Sequence, residues 1–197
     1  TDFRGLVPKL LVREGDKVLA GTPVLADKMS QNILFASPVS GTVVEVVRGE
    51  KRKLLEVRIK ADAEQEYVDF GTKKVEEMTA EQIKEALLAA GLWPAITQRP
   101  YGIIANPETK PKAIFVSSFS TAPLAANLDY ALNEELANIQ TAVDALAKLT
   151  DGGVHVGIGG ANESVTPFKK LQNVTFHTFE GKHPAGNVGV QIHHVSP

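Results

Sequence analysis

The residues best suited to recognising a flat, polar-edged molecule lie in one stretch, Ala89-Ala90-Gly91-Leu92-Trp93-Pro94-Ala95-Ile96-Thr97-Gln98-Arg99-Pro100-Tyr101. It contains the only Trp of the chain, one of its three Tyr and an Arg. Aromatic faces supply an apolar wall and a guanidinium donates hydrogen bonds, a pairing that suits a quinone or flavin ring. The competing structural roles are a core anchor for Trp93 and a surface ion pair for Arg99.

Other groups are chemically expressive but less well arranged. Five histidines are present: His155, His177, His183, His193 and His194. His193 and His194 read as strand neighbours, which point to opposite faces, and no HExxH-type spacing exists, so no metal site is expected. Gly157-Ile158-Gly159-Gly160-Ala161 follows an apolar strand, as a phosphate loop would. No capped helix opens after it, Pro167 interrupts the next segment, and no acidic residue closes a second strand at the expected distance. The dinucleotide fingerprint is therefore unmet, which weighs against an independent nucleotide-binding enzyme. The cluster Arg48-Gly49-Glu50-Lys51-Arg52-Lys53 reads as a solvated hairpin turn, or as a docking surface for an acidic partner or anionic lipid.

These groups need elements to position them. Residues 6–60 hold short β-branched runs, Val43-Val44-Glu45-Val46-Val47 and Leu54-Leu55-Glu56-Val57-Arg58-Ile59, between breaks at Gly15, Gly21, Pro23, Pro38, Gly41 and Gly49, as a small all-β barrel or sandwich would. A Gly turn followed by a Val-rich strand occurs near Gly15 and again near Gly41. Residues 61–78 read as a connector. Thr79 and Gln82 form a capping box for a helix with Ile83, Leu87 and Leu88 on its apolar face, ended by Gly91. Residues 92–111 are expected to be mostly loop. Ala113-Ile114-Phe115-Val116 reads as a buried strand, and a helix is expected over 133–149 from the spacing of Leu136, Ile139, Val143, Leu146 and Leu149. After Gly152-Gly153, Val154–Ile158 and Val174–Phe179 read as further strands, giving a βαβ unit and a parallel sheet. Two domains are predicted, 1–65 and 66–197.

Composition bounds the function. The 197 residues are 43% hydrophobic and 22% charged, with net charge −2 and interspersed signs, as in a globular protein. Without a basic patch, nucleic acid is not the expected partner. The absence of cysteine excludes disulfides, thiolate ligands and iron–sulfur clusters from this stretch. No apolar run approaches the roughly 20 residues of a membrane span. The start at Thr1 and the end at Val195-Ser196-Pro197, after a strand-like segment, read as cuts.

The constellation Val12-Arg13-Glu14-Gly15-Asp16-Lys17-Val18, Gly21, Pro23-Val24-Leu25, Asp27-Lys28 and Ala36-Ser37-Pro38-Val39-Ser40-Gly41-Thr42-Val43 resembles the lipoyl/biotinyl fold. Carrier domains of that fold present a modified lysine at a hairpin tip. Lys28 lies thirteen residues from both Gly15 and Gly41, so a carrier modified on Lys28 is the alternative reading. The biotin signature is incomplete, because Asp27 rather than Met precedes Lys28.

A longer resemblance covers the chain in order. It runs through Gly5-Leu6-Val7-Pro8-Lys9, the Glu14-Gly15-Asp16 turn, Asp27-Lys28, Ala36-Ser37-Pro38, Arg48-Gly49-Glu50-Lys51-Arg52, Gly91-Leu92-Trp93 and Arg99-Pro100-Tyr101. It continues through Ala113-Ile114-Phe115-Val116, Pro123-Leu124-Ala125-Ala126, His183-Pro184-Ala185-Gly186 and Ile192-His193. This set resembles the A subunits of the sodium-translocating NADH:quinone reductases, whose members extend beyond both ends of this sequence. The resemblance implies a fold of α+β or α/β type: a lipoyl/biotinyl-like barrel-sandwich domain, then a Rossmann-like α/β domain. It also implies a cofactor-free subunit, peripheral at the cytoplasmic face of a bacterial membrane and attached there through partner subunits only. Other reductase subunits are the expected partners and quinone the possible ligand, with Phe3, Arg4, Trp93, Arg99 and Tyr101 as its candidate site and no catalytic residue. Flavin-binding relatives carry a glycine-rich phosphate loop where Trp93-Pro94-Ala95-Ile96 stands. Proline removes a donor there, so flavin phosphate binding is expected to be lost.

Overall fold

The computed structural model describes residues 3–196; Thr1, Asp2 and Pro197, the two ends, lie outside them. The chain divides into two compact units, one of residues 1–73 with 84–107 and one of 74–83 with 108–197. Neither unit is one continuous stretch of chain: residues 84–107 return to the first and residues 74–83 belong to the second.

In the first unit, β1 (Pro8–Leu10), β2 (Lys17–Val18), β3 (Pro23–Asp27), β4 (Leu34–Ala36), β5 (Gly41–Arg48) and β6 (Leu54–Ala61) form two antiparallel sheets, ordered β1-β3-β4 and β2-β5-β6. Val12, Val18, Val24 and Val43 are buried together, with Leu10, Leu25, Val46, Val57 and Ile59 packed around them. The Glu14-Gly15-Asp16 motif has a physical explanation. Gly15 turns with φ +92° and donates to Val43 O at 2.8 Å, while Asp16 Oδ2 accepts from the Arg13 amide at 2.7 Å. The ladder between β5 and β6 slips at Val43/Glu45, and Glu14 Oε1 accepts the Val46 amide at 2.8 Å. The motif thus welds the first turn to a bulged strand. The connector is strapped to this unit by Ser40, whose hydroxyl accepts the Glu66 amide and whose amide donates to Gln65 Oε1.

Helix α1 (Ala80–Ala89) has the expected ends. The Thr79 amide donates to Gln82 Oε1 at 3.0 Å and the Gln82 amide to Thr79 Oγ1 at 3.3 Å. At the far end Gly91, with φ +69°, donates to Leu88 O and Leu92 donates to Leu87 O, the bond pair of a Schellman cap. The segment expected to be mostly loop contains a 3-10 turn at Trp93–Ala95 and a small hairpin of β7 (Thr97–Gln98) and β8 (Ile103–Ile104).

The second unit is built on β9 (Ile114–Ser117), α2 (Leu128–Ala131), α3 (Leu136–Ala147), β10 (Val154–Gly159), β11 (Val174–Phe179) and α4 (Val188–Val195). β10 pairs in parallel with β9 on one side and β11 on the other. Val154, Val156 and Ile158 alternate onto one face and are buried with Val143 of α3, Phe168 and Leu171. The expected helix over 133–149 is therefore present as α3, shorter and preceded by a 3-10 turn at Asn133–Glu135. Lys148, just past α3, donates from Nζ to the carbonyls of Val75, Glu76 and Met78 at 2.5, 3.1 and 2.8 Å.

The last segment is a correction. Val188–Val195, read as strand-like, is the helix α4. It lies on the other face of the sheet, where Gln191, 1% exposed, sits over Gly157 and donates to Ser117 Oγ at 3.0 Å and Ala185 O at 3.3 Å. His193 and His194 are accordingly helix neighbours with ring centroids 5.7 Å apart, not opposed strand residues.

Candidate functional site

The hairpin β7–β8 shows what the Trp93–Tyr101 stretch does. Trp93 is 6% exposed and its Nε1–H donates to Ala105 O at 2.8 Å, so the indole is the anchor of this loop and offers no open wall. Arg99 and Tyr101 stand in the turn, where Gly102, with φ +64°, donates to Gln98 O at 2.9 Å. Tyr101 is 64% exposed. The Arg4 guanidinium donates to Tyr101 O at 3.4 Å, and the half-buried Phe3 packs edge-on to Phe35 at 5.1 Å between centroids. Of the five expected residues, Arg4, Arg99 and Tyr101 therefore gather at one turn, Phe3 is turned to Phe35, and Trp93 faces inward.

Lys28 follows the last residue of β3 and is exposed in the β3–β4 connection, its amide donating to Val7 O at 2.8 Å. The Arg48–Lys53 cluster forms the β5–β6 turn, with Lys51 and Arg52 both left-handed at φ 53° and 61°. Arg48 Nη1 closes it by donating to Arg52 O at 3.1 Å.

Two histidines meet on the α4 face of the parallel sheet. His155 stacks on Phe115 at 4.6 Å between centroids, and its Nδ1 lies 2.8 Å from His177 Nε2. Burial, then the charge of His155, holds the His177 pKa below its usual value. Among the described residues no three His, Cys, Asp or Glu side chains are grouped to hold a metal ion.

A crevice that the sequence reading did not assemble opens at the carboxyl ends of the parallel strands. Ser118, Phe119, Ser120 and Thr121 follow β9, Ile158 to Ala161 end β10, and Phe179 to Gly181 end β11; Asp129 and Thr166 complete a cavity of about 540 Å³. Thr166, buried, donates to Asp129 Oδ1 at 2.6 Å. Gly159 faces the Phe119 ring, and a Cβ on Gly160 would occupy the place of the Glu180 side chain. The glycines at the end of β10 thus make room for side chains of neighbouring strands rather than for a phosphate. The signal for this site was the residue run after each expected strand, since open parallel sheets bind ligands outside their carboxyl ends.

Comparison with known proteins identifies both units. Residues 1–62 match the NqrA N-terminal barrel-sandwich hybrid domain and residues 78–197 the NqrA second alpha/beta domain. Over the whole chain, identity is 35% to the Na(+)-translocating NADH-quinone reductase A subunit of Yersinia pseudotuberculosis serotype O:1b (strain IP 31758) and 37% to that of Serratia proteamaculans (strain 568). It is 34% to that of Histophilus somni (strain 2336). The chain covers 44% of the length of each of these relatives. None of these names describes a lipoyl or biotin carrier, so the reading of Lys28 as a modified residue is not favoured. Among the described residues no helix is long and apolar enough to cross a membrane. With a barrel-sandwich unit and an α/β unit matched in the same order, the chain belongs to the NqrA family, the A subunits of Na(+)-translocating NADH-quinone reductases.

Proposed function

We propose that this chain is part of a peripheral, cofactor-free subunit of a sodium-pumping NADH:quinone reductase, which helps to assemble the complex and contributes to quinone interaction. In this reading it has no catalytic residue and reaches the cytoplasmic face of a bacterial membrane through its partner subunits. The parallel sheet with α3 on one face and α4 on the other supports a Rossmann-like second domain, and the two antiparallel sheets around a valine core support a lipoyl-like first one. For the lack of a flavin the support is local: Pro94 has no backbone N–H to give, and the Trp93 indole N–H is spent on Ala105 O.

The observation that carries the quinone reading is the Arg4–Tyr101 contact. It brings the Arg4 guanidinium to the turn that holds Arg99 and the open Tyr101 ring, which supports a donor-and-wall reading for a quinone headgroup. Trp93 drops out of the site, and Phe3 contributes at most its edge beside Phe35. The test is binding of a quinone analogue to the full-length subunit carrying Arg99→Ala or Arg4→Ala, with a thermal melt as control. Losing a charged donor costs about 1.5–3 kcal/mol, roughly tenfold or more in affinity. Unchanged affinity in both folded variants removes this turn from the quinone site.

A further inference from the structure

The crevice at the ends of β9, β10 and β11 plays no part in the quinone reading, since none of Phe3, Arg4, Arg99 or Tyr101 lines it. Its volume of about 540 Å³ is that of a small-molecule site. Its chemistry is one-sided. Among the described residues two carboxylates, Asp129 and Glu180, line it and no Lys, Arg or His does; the His183 imidazole lies 3.4 Å from the lining Thr121 Oγ1. Several hydroxyls are already committed: Ser118 Oγ donates to Gly157 O at 2.9 Å, and Thr121 Oγ1 accepts the Gly186 amide at 2.9 Å. A phosphate would meet two like charges and no cation, at a cost that rises as water is excluded. A ligand must instead bring donors, because an ionised carboxylate only accepts. Phe119 and Phe179 line the same space and give a flat ring an apolar surface.

Glu180 is the better placed of the two acids. It directly follows β11, so the acid closing the strand after the glycine run, absent from the sequence reading, is present; it is exposed and lies over Gly160 in space that any larger residue there would take. Asp129 is half-buried and held by the Thr166 hydroxyl. Two adjacent hydroxyls on a ring can donate together to one carboxylate, the manner in which acids at parallel-sheet crevices bind ribose. We propose that this crevice binds the vicinal diol of an unphosphorylated ribose compound, a nucleoside, with Glu180 accepting from the hydroxyls and Phe119 or Phe179 against the ring.

The experiment measures adenosine, 2′-deoxyadenosine, AMP and ribose binding to the full-length subunit by calorimetry and ligand-observed NMR. Adenosine is expected to bind, with 2′-deoxyadenosine about tenfold weaker or worse, the change that follows from losing a charged hydrogen bond, and AMP weaker because its phosphate meets the two carboxylates. Glu180→Gln, at an exposed position, is expected to weaken adenosine by a similar factor, and Gly160→Ala to do so by displacing Glu180. Ribose binding as tightly as adenosine assigns the site to a free sugar and keeps the diol. The proposal is overturned if neither adenosine nor ribose binds, if the deoxynucleoside binds equally, if AMP binds more tightly, or if Glu180→Gln leaves affinity unchanged. Arg99→Ala, the variant that tests the quinone site, should leave adenosine binding intact, so the two readings fail separately.

Discussion

With both rings neutral, His177 donates to His155 rather than the reverse. His155 Nε2 lies 3.2 Å from Gly152 O, which can only accept, so that nitrogen holds a proton in the neutral ring. His155 Nδ1 is then the acceptor, and the proton in the 2.8 Å contact belongs to His177 Nε2. Burial, followed by His155, keeps the His177 pKa below 6.5, so the unfolded chain binds more protons than the native one just below that pH. Stability from this source is complete above about pH 6.5 and is lost as pH falls from there toward the folded value. Denaturant midpoints measured from pH 7.5 down to 5.5 should fall for the parent chain and fall less steeply for His177→Gln. Parallel curves for the two would show that this pair does not sense pH.

Trp93→Phe should remove the bond to Ala105 O while keeping most of the apolar area, at a cost of about 1 kcal/mol, and Trp93→Ala about 3–5 kcal/mol. Chemical denaturation reads both. Because the ring faces inward, Trp93→Phe should leave quinone-analogue affinity unaltered in the full-length subunit. A tenfold loss there would return Trp93 to the ligand site.

Lys148→Met keeps the length and apolar stem of the side chain but leaves three carbonyls without their shared donor. The expected cost is about 1.5–3 kcal/mol. The amides of Glu77 and Met78, which close the 3-10 turn those carbonyls belong to, should exchange with solvent deuterium faster than in the parent. Unchanged exchange would mean that the turn holds without Lys148.

Gly91 and Gly71 offer a matched pair, with φ +69° and +72°. Alanine at either incurs the left-handed penalty, roughly 1–2 kcal/mol. Only at 91 would the new Cβ also press on Ala36, 3.0 Å from its nitrogen, whereas nothing lies within 4 Å at 71. Gly91→Ala should therefore be the more destabilising in thermal melts. Equal melting temperatures would show that the barrel yields freely at Ala36.

The parts of this fold that were legible are those fixed by short-range bonds. Thr79 and Gln82 are three residues apart and bond each other, and Gly91 ends α1 through bonds to Leu87 and Leu88. What stayed hidden depends on distant partners. Val188, Val190 and Ile192 alternate like a strand, yet the segment is a helix whose buried Gln191 is held by Ser117, 74 residues away. The inward turn of Trp93 was undecidable without its acceptor at Ala105. The crevice was half legible: the glycine run at 157–161 and the three strands were readable, but not the strand order that brings Phe119, Gly160 and Glu180 together.

The meeting of Gly157 and Gln191 has a consequence for heredity. A methyl group at 157 would fall on the Gln191 amide, and that amide has no room to retreat while it bonds Ser117 and Ala185. Neither position can then drift alone. In lineages where 157 acquires a side chain, 191 should shrink in the same step, while Ser117 keeps its hydroxyl for the carbonyls of Phe119 and Gly186. Positions 157 and 191 are expected to change as one inherited character, although 34 residues of chain separate them.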